Sequence, residues 1–281
     1  MLKKKKFYIT CLCLILLIIS LELIINQRKD KYIHISLDDT IQVFEDLTID
    51  IDAKSIFDNE TLAFLKDCHD KYGMVFSLYV FYEKENFNLS NTTDRFKKEF
   101  QENSDWLKFG FHAKKEYMNY ENSSYENAYN DYTQVINELV RITGGKSVID
   151  RFPRLANFAG NQESIQAMKA AKYGVQGLLG SDDERTSYYL NEEESSILVK
   201  NGSYLDSKHN LEFLTSLKRI EENDHLIKDC DSKKICIVFT HEALLKNDDV
   251  KRKLNELGEW VKESKGKYIF PMDLELARYF K

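Results

Sequence analysis

From Tyr32 onward the sequence keeps changing its period, with short apolar runs alternating with longer amphipathic stretches. Tyr32–Leu37 (YIHISL), Met74–Tyr82 (MVFSLYVFY), Trp106–His112 (WLKFGFH), Ser147–Arg151 (SVIDR), Val175–Leu179 and Ile235–Thr240 (ICIVFT) read as strands, rich in β-branched and aromatic residues. Between and after them, Ser55–Tyr72, Thr93–Asn103, Ser124–Thr143, Gln162–Tyr173, Leu211–Lys228 and Asp248–Lys265 carry helical spacing. Gly144-Gly145 and Gly174 stand where two of these helices should stop. Such alternation predicts a parallel sheet with helices outside it, an α/β fold. Roughly seven units favour a distorted (β/α)7-type barrel over an open doubly wound sheet, and in barrels functional residues gather at the C-terminal ends of strands.

The N-terminus has a different pattern. Lys3–Lys6 precede Phe7–Ile25, a run that is apolar apart from Thr10, Ser20 and Glu22. At about 1.5 Å rise per residue, roughly 20 residues cross a hydrocarbon core. The lysines should stay cytoplasmic, which places all that follows Asn26 outside. A cleaved signal peptide is the competing reading, but no small-residue cleavage site follows the run. The expected organisation is a lysine cluster and single transmembrane signal anchor over 1–26, a tether over 27–31 (QRKDK from Gln27), and one barrel domain over 32–281.

The formal net charge of −6 argues against a nucleic-acid partner, which needs a basic field. Cys68, Cys230 and Cys236 lie in the expected exported part. Cys230 and Cys236 either close a short loop or leave Cys236 as a buried thiol, and their spacing matches no common zinc signature.

The ends of the strands hold the residues that can do chemistry. The first ends in Asp38-Asp39, adjacent carboxylates that repel each other and call for a partner such as a metal, unless one of them caps the turn. The third ends in His112, with Glu116 four residues on; in a helical turn that spacing would put imidazole and carboxylate on one face. The fourth ends in Asp150-Arg151-Phe152-Pro153-Arg154, where Arg151 can orient a carboxylate with its fork of donors. His241 follows the late strand in Thr240-His241-Glu242 and is placed as a general acid. Asp182 and Asp183 (in GSDD) and Asn157 sit past other strands, where sugar hydroxyls could be met.

The order of these features resembles the polysaccharide deacetylases of carbohydrate esterase family 4, the NodB-homology domain, over roughly Tyr32 to Phe280. The family's T-F-D-D corresponds to Ser36-Leu37-Asp38-Asp39, its H-x-x-x-H to His112–Glu116, its R-x-x-P-like motif to the shorter Arg151-Phe152-Pro153, and its last histidine to His241. The resemblance implies Asp38 as general base held by Arg151, His241 as catalytic acid, and a divalent metal, zinc by expectation, on Asp39, His112 and Glu116. Pro153, Asn157, Asp182 and Asp183 are the expected substrate-binding residues. Glutamate in place of the second histidine is the main departure, and it fits either an altered metal site or a member that has lost catalysis.

The reaction so implied removes N- or O-acetyl groups from a cell-envelope or extracellular polysaccharide. The rivals are a catalytically inactive glycan-binding barrel and a metal-free glycoside hydrolase pairing Asp38 or Asp39 with Asp182 or Asp183.

Overall fold

The computed structural model describes residues 31–274 apart from Glu184. The expected anchor over 7–25 lies outside them; among the described residues no helix is long and apolar enough to cross a membrane.

Nine strands are described: β1 (Tyr32–Thr40), β2 (Phe76–Lys84), β3 (Phe87–Asn88), β4 (Leu107–Lys115), β5 (Gly177–Gly180), β6 (Ser203–Asp206), β7 (Leu211–Thr215), β8 (Ile235–His241) and β9 (Lys267–Tyr268). Their helices are α1 (Gln42–Ile49), α2 (Glu60–Tyr72), α3 (Lys97–Glu102), α4 (Tyr125–Thr143), α5 (Gln162–Ala170), α6 (Glu192–Asn201), α7 (Leu226–Asp231) and α8 (Asp248–Ser264). β1 is the central strand. It runs parallel to β2 on one side and β8 on the other, and β2 runs parallel to β4. The short β9 pairs with the start of β1, and β3 turns back on the end of β2. A separate three-stranded sheet has the order β5-β7-β6.

The fold is mixed α/β as expected, but the expected barrel is not closed by continuous ladders. In place of ladders, Ser216 just past β7 bridges to Ile237 of β8, and Phe109 of β4 bridges to Ile149, whose segment goes on to bond Gln176 and Leu179 beside and in β5. The stave read at Ser147–Arg151 is a 3-10 turn at Lys146–Val148 followed by that single bridge. A second correction concerns Leu211–Lys228. Its first five residues form β7, between β5 and β6, a 3-10 turn follows at Ile220–Glu222, and the α-helix begins only at Leu226 and runs to Asp231. β7 has buried residues on both faces, so the alternation that marks a half-exposed strand is missing and the apolar spacing imitates a helix.

Local chemistry explains the elements that were read correctly. The Ser124 hydroxyl accepts from the Asn127 N–H at the start of α4. Gly144 ends that helix at φ 97°, a left-handed conformation that glycine adopts without a Cβ clash. β1 is buried along nearly its whole length, which suits a strand covered on both faces. Cys230 of α7 and Cys236 of β8 form a disulfide, which decides between the two readings of that pair.

Candidate active site

Two irregularities in the ladders aim the key side chains. The β1–β2 register shifts between Leu37 and Thr40, where Asp38 and Asp39 lie. The β2–β4 register shifts opposite Phe111 and Ala113, which leaves His112 as the extra residue. Bulges of this kind turn a side chain out of its regular direction. Asp39 also has a left-handed backbone, φ 58°. Both shifts sit at the C-terminal ends of parallel strands, at one cleft of about 560 Å³.

Asp38 is 3 % exposed and its Oδ1 accepts from Arg154 Nη1 at 2.8 Å. Arg154 is buried too. It also donates to the hydroxyls of Ser36 and Ser216, at 2.9 and 2.8 Å, and lies 3.9 Å over the Phe239 ring. The residue that holds Asp38 is therefore Arg154, not Arg151. Arg151 donates through Nε to the Gly174 carbonyl and borders a different pocket. The two arginines stand three residues apart around Pro153, and nothing local tells which of them turns inward; it is the second, Arg154, that reaches Asp38. Pro153 is likewise not a cleft residue: it is buried, and its carbonyl accepts from the Leu179 N–H.

His112 Nδ1 lies 2.6 Å from the Arg154 carbonyl, which can only accept, so Nδ1 carries the proton. Nε2 then points its lone pair at Asp39 Oδ1, 3.1 Å away. Two acceptors face each other, and a positive charge must join them, either a second proton on His112 or a bound cation. Burial works against charging His112, yet Asp38 and Asp39 outweigh it and lift the pKa above the ordinary histidine value. For Asp39 burial is opposed by His112, His241 and Lys84, and the carboxyl sits below its ordinary range.

The imidazole and carboxylate are donor types of catalytic divalent-metal sites, and their arrangement suits one. Glu116, the expected third ligand, does not stand with them. β4 continues as a strand to Lys115 instead of coiling after His112. Four residues of strand advance about 13 Å, against about 6 Å for a helical turn. Glu116 borders the same cleft beside the exposed Tyr117, whose hydroxyl pKa its charge raises. Among the described residues no group of three His, Cys, Asp or Glu side chains converges as a metal site.

His241 is the register partner of Asp38 across β1–β8. Its Nδ1 lies 3.2 Å from Glu221 Oε1, and its Nε2 faces Asp39 Oδ2 at 3.9 Å. Glu221 also accepts from the Thr240 hydroxyl at 2.9 Å. Burial opposes charge on His241, but Glu221, Asp38 and Asp39 raise its pKa. The sequence reading missed Glu221, because taking 211–228 as one helix gave that residue no reason to face β8. Glu242, the residue after His241, accepts from the backbone N–H groups of Ile41, Gln42 and Val43 at 2.8–2.9 Å and so ties the start of α1 to the end of β8.

Asp182, Asp183 and Asn157 all border the cleft. Burial raises the Asp182 pKa, while Arg185 forks over Asp183 and holds that carboxyl far below its usual range. A carboxylate so engaged is poorly placed as the second catalytic acid of a glycosidase.

The described fold aligns with a family 4 acetyl xylan esterase from Clostridium thermocellum, solved in complex with a cobalt ion. The alignment covers 89 % of this chain and 93 % of that one, with a TM-score of 0.50 and 12 % identity. The fold is that of the family 4 carbohydrate esterases. The Xyl-CE4 domain of a multidomain xylanase from the hindgut metagenome of Trinervitermes trinervoides aligns equally well, with a TM-score of 0.50 over 90 % of this chain and 93 % of that one, at 11 % identity. No protein-family model matches the sequence, and no curated protein does. The likeness is thus one of fold, at 11–12 % identity, and the sequence comparisons do not register it.

Proposed function

We propose that this chain is a divergent family 4 deacetylase that hydrolyses acetyl amides or esters on a glycan. The carrying observation is the pairing of Asp38, held by Arg154, with His241, oriented by Glu221, across adjacent parallel strands at one cleft. A base and an acid whose environments separate their roles are what acyl hydrolysis needs.

In this reading Asp38 takes a proton from a water as its oxygen attacks the acetyl carbonyl carbon. The Arg154 bond fixes the Asp38 carboxylate in place for that transfer. His241, its Nδ1–H engaged by Glu221, delivers a proton from Nε2 to the departing nitrogen or oxygen. Acetate and a free amine or hydroxyl result, and the proton on Asp38 restores His241 through solvent. Asp39 and His112 would hold a divalent metal, zinc by donor chemistry, which when bound polarises the carbonyl and acidifies the water. The apolar segment 7–25 would place the domain on the outer face of the cell membrane, within reach of envelope or extracellular glycans.

The test is acetate release from N-acetylated chito-oligosaccharide and from acetylated xylan, with zinc or cobalt supplied. Wild-type release that disappears in Asp38→Asn is the expected result. No release by the wild type from either substrate, with divalent metal bound, would point to the second reading, an inactive glycan-binding domain. The one observation favouring that alternative is that β4 runs on as a strand past His112, so that among the described residues no third ligand converges on the Asp39–His112 pair.

A further inference from the structure

Lysine has no ordinary place on the apolar face of a helix. The buried face of α8 is made of Val250, Leu254, Leu257, Gly258 and Val261, and Lys253 lies among them, 7 % exposed. A buried ammonium gives up its water, and an aliphatic side chain of similar length would fill the position with no loss of stability. The burial is explained by what the ammonium reaches.

Three oxygens surround Lys253 Nζ. Asp249 Oδ2, four residues back on α8, is 3.1 Å away, but an ion pair along one helix needs no burial. Asp224 Oδ1 is 3.4 Å away on a side chain that is 88 % exposed, where water weakens the attraction. The third is the Ile220 carbonyl at 3.2 Å, in a buried bond that only an inward-pointing side chain can make.

Ile220 opens the 3-10 turn that carries Glu221. Its carbonyl belongs to the peptide unit that leads into Glu221, and it also accepts the turn's own bond from the Asn223 N–H at 3.2 Å. A peptide unit is planar, so fixing this oxygen fixes the direction in which the chain enters Glu221. From there the Glu221 carboxylate meets the Thr240 hydroxyl at 2.9 Å and His241 Nδ1 at 3.2 Å. Before the turn, the chain is held to β8 by the Leu217 N–H on the Ile237 carbonyl at 2.7 Å. Arg219, the other cation beside Glu221, stands 3.8 Å from it, is partly exposed and is shared with Glu222.

We infer that Lys253 is a positioning residue: from α8, which borders no part of the cleft, it pins the Ile220–Glu221 peptide and so keeps Glu221 aimed at His241. Its catalytic consequence rests on the deacetylase reading above, in which His241 delivers the proton to the leaving group. Lys253 itself touches no reacting atom.

Two acetyl substrates separate acid positioning from general support of the fold. An N-acetylated chito-oligosaccharide expels an amine that needs a proton to leave, whereas 4-nitrophenyl acetate expels a phenolate that leaves as the anion. Lys253→Met keeps the length and removes the ammonium. In the full chain with zinc supplied, kcat on the oligosaccharide should fall about tenfold with KM unchanged, while kcat on the nitrophenyl ester stays within about twofold. A second readout needs no turnover. The low-field proton signal of the His241 Nδ1–H, identified by its absence from His241→Gln, should be sharp in wild type and broadened or displaced in Lys253→Met. Equal loss on both substrates, or loss on neither, overturns the inference, and so does an unchanged His241 signal. A wild type that releases no acetate from the oligosaccharide overturns the deacetylase reading instead, and the proton signal then decides by itself whether Lys253 holds Glu221 on His241.

Discussion

Asp38 and His241 are direct register partners in the β1–β8 ladder, so the separation of the proposed base and acid is set by backbone pairing between two buried parallel strands. Side-chain partners then fix direction, Arg154 for Asp38 and Glu221 for His241. The two kinds of control predict different mutant behaviour. Changes to the partners should disturb chemistry while the strands stay paired.

Arg154 and Arg151 provide the clearest contrast. Arg154 satisfies Asp38, Ser36 and Ser216 at once from a fully buried position. Lysine keeps the charge but has no fork, so it cannot make all three bonds. Arg154→Lys should lower acetate release by about a hundredfold or more and stability by about 3 kcal/mol, the lower end of the range for disrupting a buried ion pair. Arg151→Ala loses one bond to a loop carbonyl and should change stability by about 1 kcal/mol with turnover near wild type. Equal loss of turnover in the two variants would return the base-holding role to Arg151.

Glu221 should matter through His241. Its carboxylate receives the Nδ1–H and so leaves Nε2 facing the cleft. Glu221→Gln keeps the shape and removes the charge, and kcat should fall by about ten- to a hundredfold, less than the roughly 10²–10⁴-fold that a general acid itself contributes, because His241 is still present. KM for the oligosaccharide should hardly move, because Glu221 does not line the cleft and its side-chain hydrogen-bond partners are Thr240 and His241. A KM effect without a kcat effect would show that Glu221 shapes the cleft wall and does not orient the acid.

The sequence made the strand ends legible because β1, β4 and β8 are short runs rich in apolar residues whose ends carry Asp38-Asp39, His112 and His241. It made α4 legible through Ser124 and Gly144, which act within one turn of the backbone. What it hid depends on contacts distant in the chain. The identity of the arginine that turns inward depends on how residues 149–153 cross between β4 and β5, which no local pattern encodes. β7 was hidden by its burial on both faces, and Glu221 was hidden with it. Glu116 was misplaced because i, i+4 spacing has opposite meanings in a helix and in a strand.

His34 should give the fold a pH limit. The ring is buried on β1, donates through Nδ1 to the Ile269 carbonyl at 3.1 Å, and packs against Phe270. Burial first and the Arg154 charge second lower its pKa from 6.5 to about 3. The folded chain therefore keeps His34 neutral, while the unfolded chain takes up a proton below the ordinary histidine value. Stability from this group is complete above about pH 6.5 and is lost as pH falls toward 3, at about 1.4 kcal/mol per unit. Denaturant titrations at pH 7.5 and pH 5 should show wild type losing about 2 kcal/mol more than His34→Gln over that interval. Parallel losses in the two proteins would mean that other groups set the acid limit.

Glu242 joins fold to site. Its two carboxylate oxygens accept three N–H groups at the first turn of α1, directly after the Asp38-Asp39-Thr40 segment. Those N–H groups have no partner within the helix, and a buried carboxylate beside a helix N-terminus also meets the positive end of its dipole. Burial still pushes the Glu242 pKa above its usual value, so the three bonds offset the desolvation only in part. Glu242→Ala should lower stability by about 2 kcal/mol, the range for a lost cap with buried donors left unpaired. Glu242→Gln keeps a single acceptor oxygen and should lose less. In both variants kcat should fall further than stability alone explains, because β1's end is then free to shift against β8 and the Asp38–His241 alignment with it. Hydrogen exchange at Ile41, Gln42 and Val43, measured beside kcat, checks the link: faster exchange at all three amides with unchanged kcat would confine Glu242 to holding α1.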